Sequence, residues 1–205
     1  MKLFKTLLNT ILSARARKIF FWLKACLPYH GSLLDIGSGT GHNGREIKRR
    51  MGLALTELDL TDMSMTGTPP LLYDGKHIPF PDKSHDCSTM IFVLQYVADP
   101  YTFLKEVKRI TTGNIIVLQT VYQTPLSGYL LKVYEFLMGR LPYYLFKMLS
   151  IFPNAICTLK PARQYSASQL EDLFTTTGLV ITLNKNKGLN LFGITHKLYI
   201  LNESR

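Results

Sequence analysis

The spacing of apolar and polar positions divides the chain into an alternating strand–helix series. Leu33 and Leu34 read as the end of a buried strand. Gly37, Gly39 and Gly41 follow as a loop with little side chain in the way, and Arg45 to Met51 read as a helix with a basic outer face. A second strand is expected at Leu53–Asp59, a fourth at His85–Phe92 and a fifth, buried on both sides, at Ile115–Gln119. Asp99 and Pro100 mark a helix start, the Asp as cap and the Pro in the first turn. That helix runs to about Arg109 with Phe103, Leu104 and Val107 inward. Ser166 with Gln169 is a capping-box pair for a later helix, which Gly178 ends. Leu179–Lys185 and Ile194–Leu201 read as closing strands around a polar turn at Asn186–Asn190. The order predicts an α/β fold with a Rossmann-like, doubly wound, mostly parallel sheet, in one domain spanning residues 1–205.

Three stretches modify this plan. Residues 1–27 place Leu3, Leu7, Leu8, Ile11 and Leu12 at helical spacing, interrupted by Lys2, Lys5, Arg15, Arg17, Lys18 and Lys24. This N-terminal amphipathic helix suits either a membrane surface or packing on the sheet over a cofactor. Lys5 and Asn9 break its apolar core, which argues against a signal peptide. Between Asp59 and Asp74, Gly67, Pro69 and Pro70 oppose a helix, so the crossover after the second strand is expected to be reduced, with Leu71–Tyr73 as a short strand. Residues 121–160 read as a helical insertion after the fifth strand, broken near Gly139–Pro142.

The glycine loop carries the chemistry. Gly39 to Gly44 form a literal GxGxxG, a spacing used to cradle pyrophosphate. Asp35, at the strand end just before the loop, would repel a pyrophosphate and attract a cation. S-adenosylmethionine (SAM) has no phosphate and carries a sulfonium and an ammonium, so it fits this loop better.

The stretch Asp35-Ile-Gly-Ser-Gly-Thr-Gly41 resembles the DxGxGxG motif of class I SAM-dependent methyltransferases, in particular the quinone-biosynthesis C-methyltransferases. The resemblance runs from about Ser32 to Leu201 and implies the seven-stranded sheet of that class. It implies that Asp35, Gly37, Ser38 and Gly39 line the cofactor site. Asp59 would accept from the ribose hydroxyls, with Glu57 in reserve, and Leu60 would pack on the adenine. Asp74-Gly-Lys-His-Ile-Pro-Phe-Pro-Asp82 is similar to the family's DAxxLPFPD segment, which gives Asp74 and Gly75 the adenine edge. Met90 and Ile91 would lie beside the methionine part, and Met63 and Met65 would line the pocket edge that the shortened crossover leaves thin. Gln95-Tyr96 departs from the family's paired histidines, so the catalytic residue stays open among Tyr96, His42, Tyr122 and His77. No metal is expected. Ile91-Phe-Val-Leu94 lacks the Pro-Pro-aromatic signature of base-amine methyltransferases, which argues against nucleic acid as partner. A SAM-binding protein without catalysis, or an enzyme acting on RNA or protein, is the alternative.

Charge refines the partner. Of a net +10, residues 1–50 hold ten Lys/Arg against two acids. A peripheral contact with an anionic membrane is therefore expected. Cys26, Cys87 and Cys157 are scattered without a CxxC, which suits reduced thiols, a cytoplasmic setting and no zinc. The insertion is rich in Tyr and Phe and holds Glu135 as its one acid, with no Arg cluster to grip a carboxylate or phosphate. An apolar or aromatic small-molecule acceptor, lipid-linked rather than polymeric, is the expectation; the sequence leaves the oligomeric state open.

Overall fold

The computed structural model describes residues 2–137, 141–148 and 162–203. Gly139, Phe152 and Cys157 lie outside them, as do the side chains of Tyr143 and Phe146. The glycine loop is flanked as expected: β1 (Ser32–Ile36) leads into it and α2 (His42–Met51) leaves it. The following strands are β2 (Ala54–Asp59), β3 (Leu71–Leu72), β4 (Cys87–Ile91) and β5 (Ile115–Tyr122). β3, β2, β1, β4 and β5 lie side by side in that order and in parallel. Every residue of β4, and all of β5 but Tyr122, is buried, because helices cover both faces.

One face is closed by α3 (Pro100–Ile110) and α6 (Ala167–Thr176), through Phe103, Leu104, Val107, Leu170 and Phe174. The other is closed by α2 and by α1 (Lys2–Leu23), through Ile19, Phe20, Leu23 and Ile47. Two caps follow the sequence signals: Asp99 accepts from Thr102 N–H, and Ser166 and Gln169 form a reciprocal capping box. No helix separates β2 from β3, as Gly67 and the two prolines foretold.

Three boundaries differ from expectation. β5 runs on to Tyr122, so the insertion begins later, with α4 (Pro125–Glu135) and then α5 (Leu141–Met148). The extension is held by β8 (Ile194–Glu203), whose register with β5 continues to Tyr122↔Ile194. A two-residue strand β6 (Tyr165–Ser166) also pairs with this extension, at Val121 and Tyr122. Lastly, β7 (Leu179–Leu191) continues through the expected turn at Asn186–Asn190, with a register shift against β8 between Lys187 and Leu191. The reversal falls instead at Phe192 and Gly193, both at positive φ (50° and 75°), the geometry of a two-residue hairpin turn. The longer hairpin rests against α1: a Cβ on Gly188 would sit 3.4 Å from the Trp22 ring.

α1 has two apolar faces. Ala16, Ile19, Phe20 and Leu23 are buried in the core, whereas Phe4, Leu7, Ile11 and Phe21 point to solvent. The packed face makes α1 an integral layer of the fold. Leu23→Ala should therefore cost about 2–5 kcal/mol in urea unfolding, and Ile11→Ser no more than about 0.5 kcal/mol. Equal losses at the two positions would contradict this packing.

Candidate cofactor and acceptor site

The carboxyl ends of β1, β2 and β4 meet at the glycine loop. Gly37, Gly39 and Gly41 all take positive φ. At Gly37 a side chain has no room, since a Cβ would lie 2.6 Å from Val93 Cγ2. At Gly39 nothing lies within 4 Å of that position, which leaves the backbone open to a ligand. Asp59 supports this opening: its Oδ2 accepts from Gly39 N–H at 2.7 Å and its Oδ1 from Leu60 N–H at 2.6 Å. Each oxygen keeps a lone pair for a further donor such as a ribose hydroxyl.

Asp35 lies beneath the loop rather than on its surface. It is buried, and Thr89 Oγ1 of the neighbouring strand donates to its Oδ1 at 2.9 Å. Its Oδ2 is buried without a hydrogen-bond partner, 2.9 Å from where a Cβ on Gly44 would lie. Burial pushes the carboxyl up to about 7, and the nearby charges of Glu57 and Asp59 add to the rise. Glu57 is raised as well, by burial, and its Oε1 is also unpartnered; it lies 3.0 Å from a Cβ built on Gly41. Three carboxylates, two with an orphaned oxygen, therefore crowd one loop. This donor set fits a cationic ligand such as SAM and opposes a pyrophosphate.

The remaining expected contacts divide by burial. Leu60 is exposed beside Gly75, where a Cβ would meet Leu60 Cδ2 at 3.0 Å. Asp74 accepts from the N–H groups of Lys76 and His77 at 2.9 Å, which hold its carboxyl low and order the turn. Ser38 closes the loop by accepting from Gly41 N–H at 3.0 Å. Met90 is fully buried in the core against α3. Ile91 packs into the opposite core.

Two of the four candidate bases are engaged elsewhere. His42 is buried, its Nδ1 3.0 Å from Thr40 Oγ1 and its Nε2 2.7 Å from Asn9 Oδ1. It fastens α1 to the glycine loop, and burial lowers its pKa. His77 pairs with Glu106 at 2.8 Å on the surface. Tyr96 is 63% exposed on a 3-10 turn (Leu94–Tyr96) after β4. Tyr122 ends β5 and donates to Gln169 Oε1 at 3.3 Å.

Several features were not legible beforehand. Phe92, just past β4, holds a left-handed φ of 59° under Arg15 and against His196. Such a conformation in a bulky residue is strained and recurs where chains turn at sites. Asn9, a polar break in the apolar run of α1, proves to be the partner that fixes His42. A cavity of about 420 Å³ opens beside β5 and α4, lined by Tyr122, Gly128, Tyr129, Lys132, Arg163 and Gln164. Arg163 comes from beyond the insertion, and the fold carries it to Lys132.

Comparisons with known proteins agree with this geometry. Residues 34–117 match the family described as "Methyltransferase domain". The chain is 27% identical over 183 residues to the ubiquinone/menaquinone biosynthesis C-methyltransferase UbiE of Neisseria meningitidis, covering 80% of this chain and 70% of that one. A SAM-dependent methyltransferase structure from Methanosarcina mazei superposes with a TM-score of 0.59 at 20% identity, over 86% of this chain and 94% of the other. A structure titled a possible histamine N-methyltransferase, from Thermotoga maritima, gives 0.59 at 19% identity, over 97% and 98%. The two structures share the fold, which by itself does not select an acceptor.

Two measurements test the site. Asp59→Ala should weaken SAM binding by about 1–3 kcal/mol by calorimetry, because ribose hydroxyls lose their acceptor; unchanged affinity would displace the ribose site. Asp35 titrates near 7 when folded against an ordinary 3.8, so the stability it contributes is full below about 3.8 and is lost as pH rises through about 7. SAM, which favours the ionised form, should bind more tightly over the same rise. Asp35→Asn should flatten both profiles, and a variant that keeps them would remove Asp35 from the account.

Proposed function

We propose that the chain is a class I SAM-dependent methyltransferase, taking its methyl group from SAM as its similarity to that family implies, and that its acceptor is a small apolar or aromatic molecule presented at a membrane surface. The sulfonium is an activated donor, so the protein has to align an acceptor with the methyl and keep water out. The observation that carries the reading is the exposed apolar surface of the insertion. Leu126, Tyr129 and Tyr134 on α4, Phe136 and Leu137 just past it, and Tyr144 and Met148 on α5 are all exposed, in the segment that follows the strand ending at Tyr122. Burying such a surface against a lipid-borne acceptor supplies about 25 cal/mol per Å². The relatives named for ubiquinone and menaquinone biosynthesis favour the same class of acceptor.

The second apolar stripe of α1 supports the membrane half of the proposal. Phe4, Leu7, Ile11 and Phe21 face outward from a helix that also carries Lys5, Arg15, Arg17, Lys18 and Lys24. An apolar stripe edged by cations is the pattern of a helix lying in an interface. Among the described residues no helix is long and apolar enough to cross a membrane, so the contact proposed is peripheral. Tyr96, exposed on the turn after β4, and Tyr122, whose hydroxyl donates to Gln169, are the candidates this reading keeps for accepting or relaying a proton.

Incubation of lipid extract with isotopically labelled SAM should give a labelled product that partitions with small lipids. Label found only in RNA or protein would end the proposal. Removing the segment from Pro125 to Pro161 should abolish this turnover and leave SAM affinity largely intact, since the carboxylate loop lies on other strands. In flotation the protein should rise with anionic vesicles at low salt and be released at high salt. Equal behaviour with neutral and anionic vesicles would argue against the interfacial role of α1.

A further inference from the structure

The cavity beside β5 joins features that the sequence keeps apart. Tyr122 comes from the end of β5, Gly128, Tyr129 and Lys132 from α4, and Arg163 and Gln164 from the stretch before β6. Gly128 shapes it: a Cβ there would lie 3.2 Å from the Tyr122 ring, so the bare backbone lets the ring lie against the helix. Arg163 N–H donates to Gln95 O at 3.0 Å, which moors this wall to the turn that follows β4. The cavity therefore borders the carboxyl edge of the sheet, on the acceptor side of the glycine loop.

Its charge is unbalanced. Neither Lys132 nor Arg163 joins an ion pair among the described residues. Arg163 spends one donor on Ala98 O at 3.5 Å. Asp99, whose carboxyl Arg163 helps to hold low, is already the cap of α3 through Thr102. Glu135, one turn beyond Lys132 on α4, accepts from the Gln164 amide. Lys132 and Arg163 are both exposed on this concave surface, where an anion would meet two cations at once. Arg supplies a planar fork for carboxylate or phosphate oxygens, and Lys a movable point charge. Tyr122 and Tyr129 supply the aromatic wall, and a space of about 420 Å³ is of small-molecule size.

We propose that this cavity binds an aromatic small molecule through an anionic substituent, a carboxylate or a phosphate monoester, held by Lys132 and Arg163. The inference rests on the methyltransferase reading and sharpens it: the acceptor is an aromatic acid, anchored by its charge while its ring faces the sheet edge. Two cations are too few for a polyanion, and the aromatic lining has no use for a bare inorganic ion.

Calorimetry on the full chain tests the assignment with four probes: 4-hydroxybenzoate, phenyl phosphate, the neutral 4-hydroxybenzamide, and glycerol 3-phosphate as charge without ring. At least one aromatic anion should bind about tenfold more tightly than the amide, with the advantage shrinking at high salt. The preference should disappear in the Lys132→Gln/Arg163→Gln double variant, whose SAM affinity stays at the wild-type value. Anions that bind no better than the amide, or a preference that survives the double variant, would overturn the proposal. Glycerol 3-phosphate binding as well as phenyl phosphate would overturn its aromatic half and point to a lipid headgroup. Wild-type protein that fails to bind SAM at all would count against the methyltransferase reading instead, so the two failures are distinct.

Discussion

Everything at the cofactor end depends on holding three carboxylates around one backbone loop. Asp59 locks the loop by accepting from Gly39 N–H, and Asp35 is pinned to the next strand by Thr89. Glu57 and Asp59 add like charge at Asp35, while burial raises Glu57 itself and Arg45 and Lys48 partly offset that rise. Burial and the neighbouring carboxylates push Asp35 toward neutrality. A cationic cofactor is attracted by these carboxylates and a phosphate-bearing nucleotide is repelled by them. The preference for SAM thus follows from the carboxylates around the loop, and the glycine spacing alone would not have decided it.

The same edge of the sheet is fenced by elements with two duties. α1 seals a core with one face and keeps a second apolar stripe in solvent. Through Asn9 and His42 it also reaches the glycine loop, so its position and the loop's are linked. The β7–β8 hairpin extends until Gly188 meets Trp22, and its tip packs Gly193 near Ser127 at the head of α4. Helix, hairpin and insertion are consequently joined around the acceptor side. A membrane contact made by α1 would act on parts that touch both the glycine loop and α4.

Much of this was legible along the chain. Buried parallel strands read as apolar runs because both faces are covered, and the caps at Asp99 and Ser166 read correctly because a cap is a local hydrogen bond. The lost crossover helix was legible for the same reason: Gly67, Pro69 and Pro70 act on their own backbone. Asp35 and Asp59 were placed by spacing from the glycines, since strand ends and loop length fix where a carboxylate emerges. What failed was whatever depends on a distant partner. β5 and β7 outran their local signals because each gains backbone hydrogen bonds from β8. His42 was a candidate base until Asn9, 33 residues earlier, took its Nε2. Met90 sits on a strand that reaches the site, yet pleating turns its side chain into the core.

By itself, then, the sequence determined the order of strands and helices, the acidic glycine loop and the class of cofactor that loop admits. These rest on backbone preferences and on charges separated by a few residues or by one strand–loop–strand step. Only the tertiary structure decided which face of α1 is buried, which histidines are spent on structure, and that Lys132 and Arg163 share one cavity. Those outcomes come from side chains brought together across long sequence gaps, where burial and mutual charge set the energy and no local pattern records the meeting.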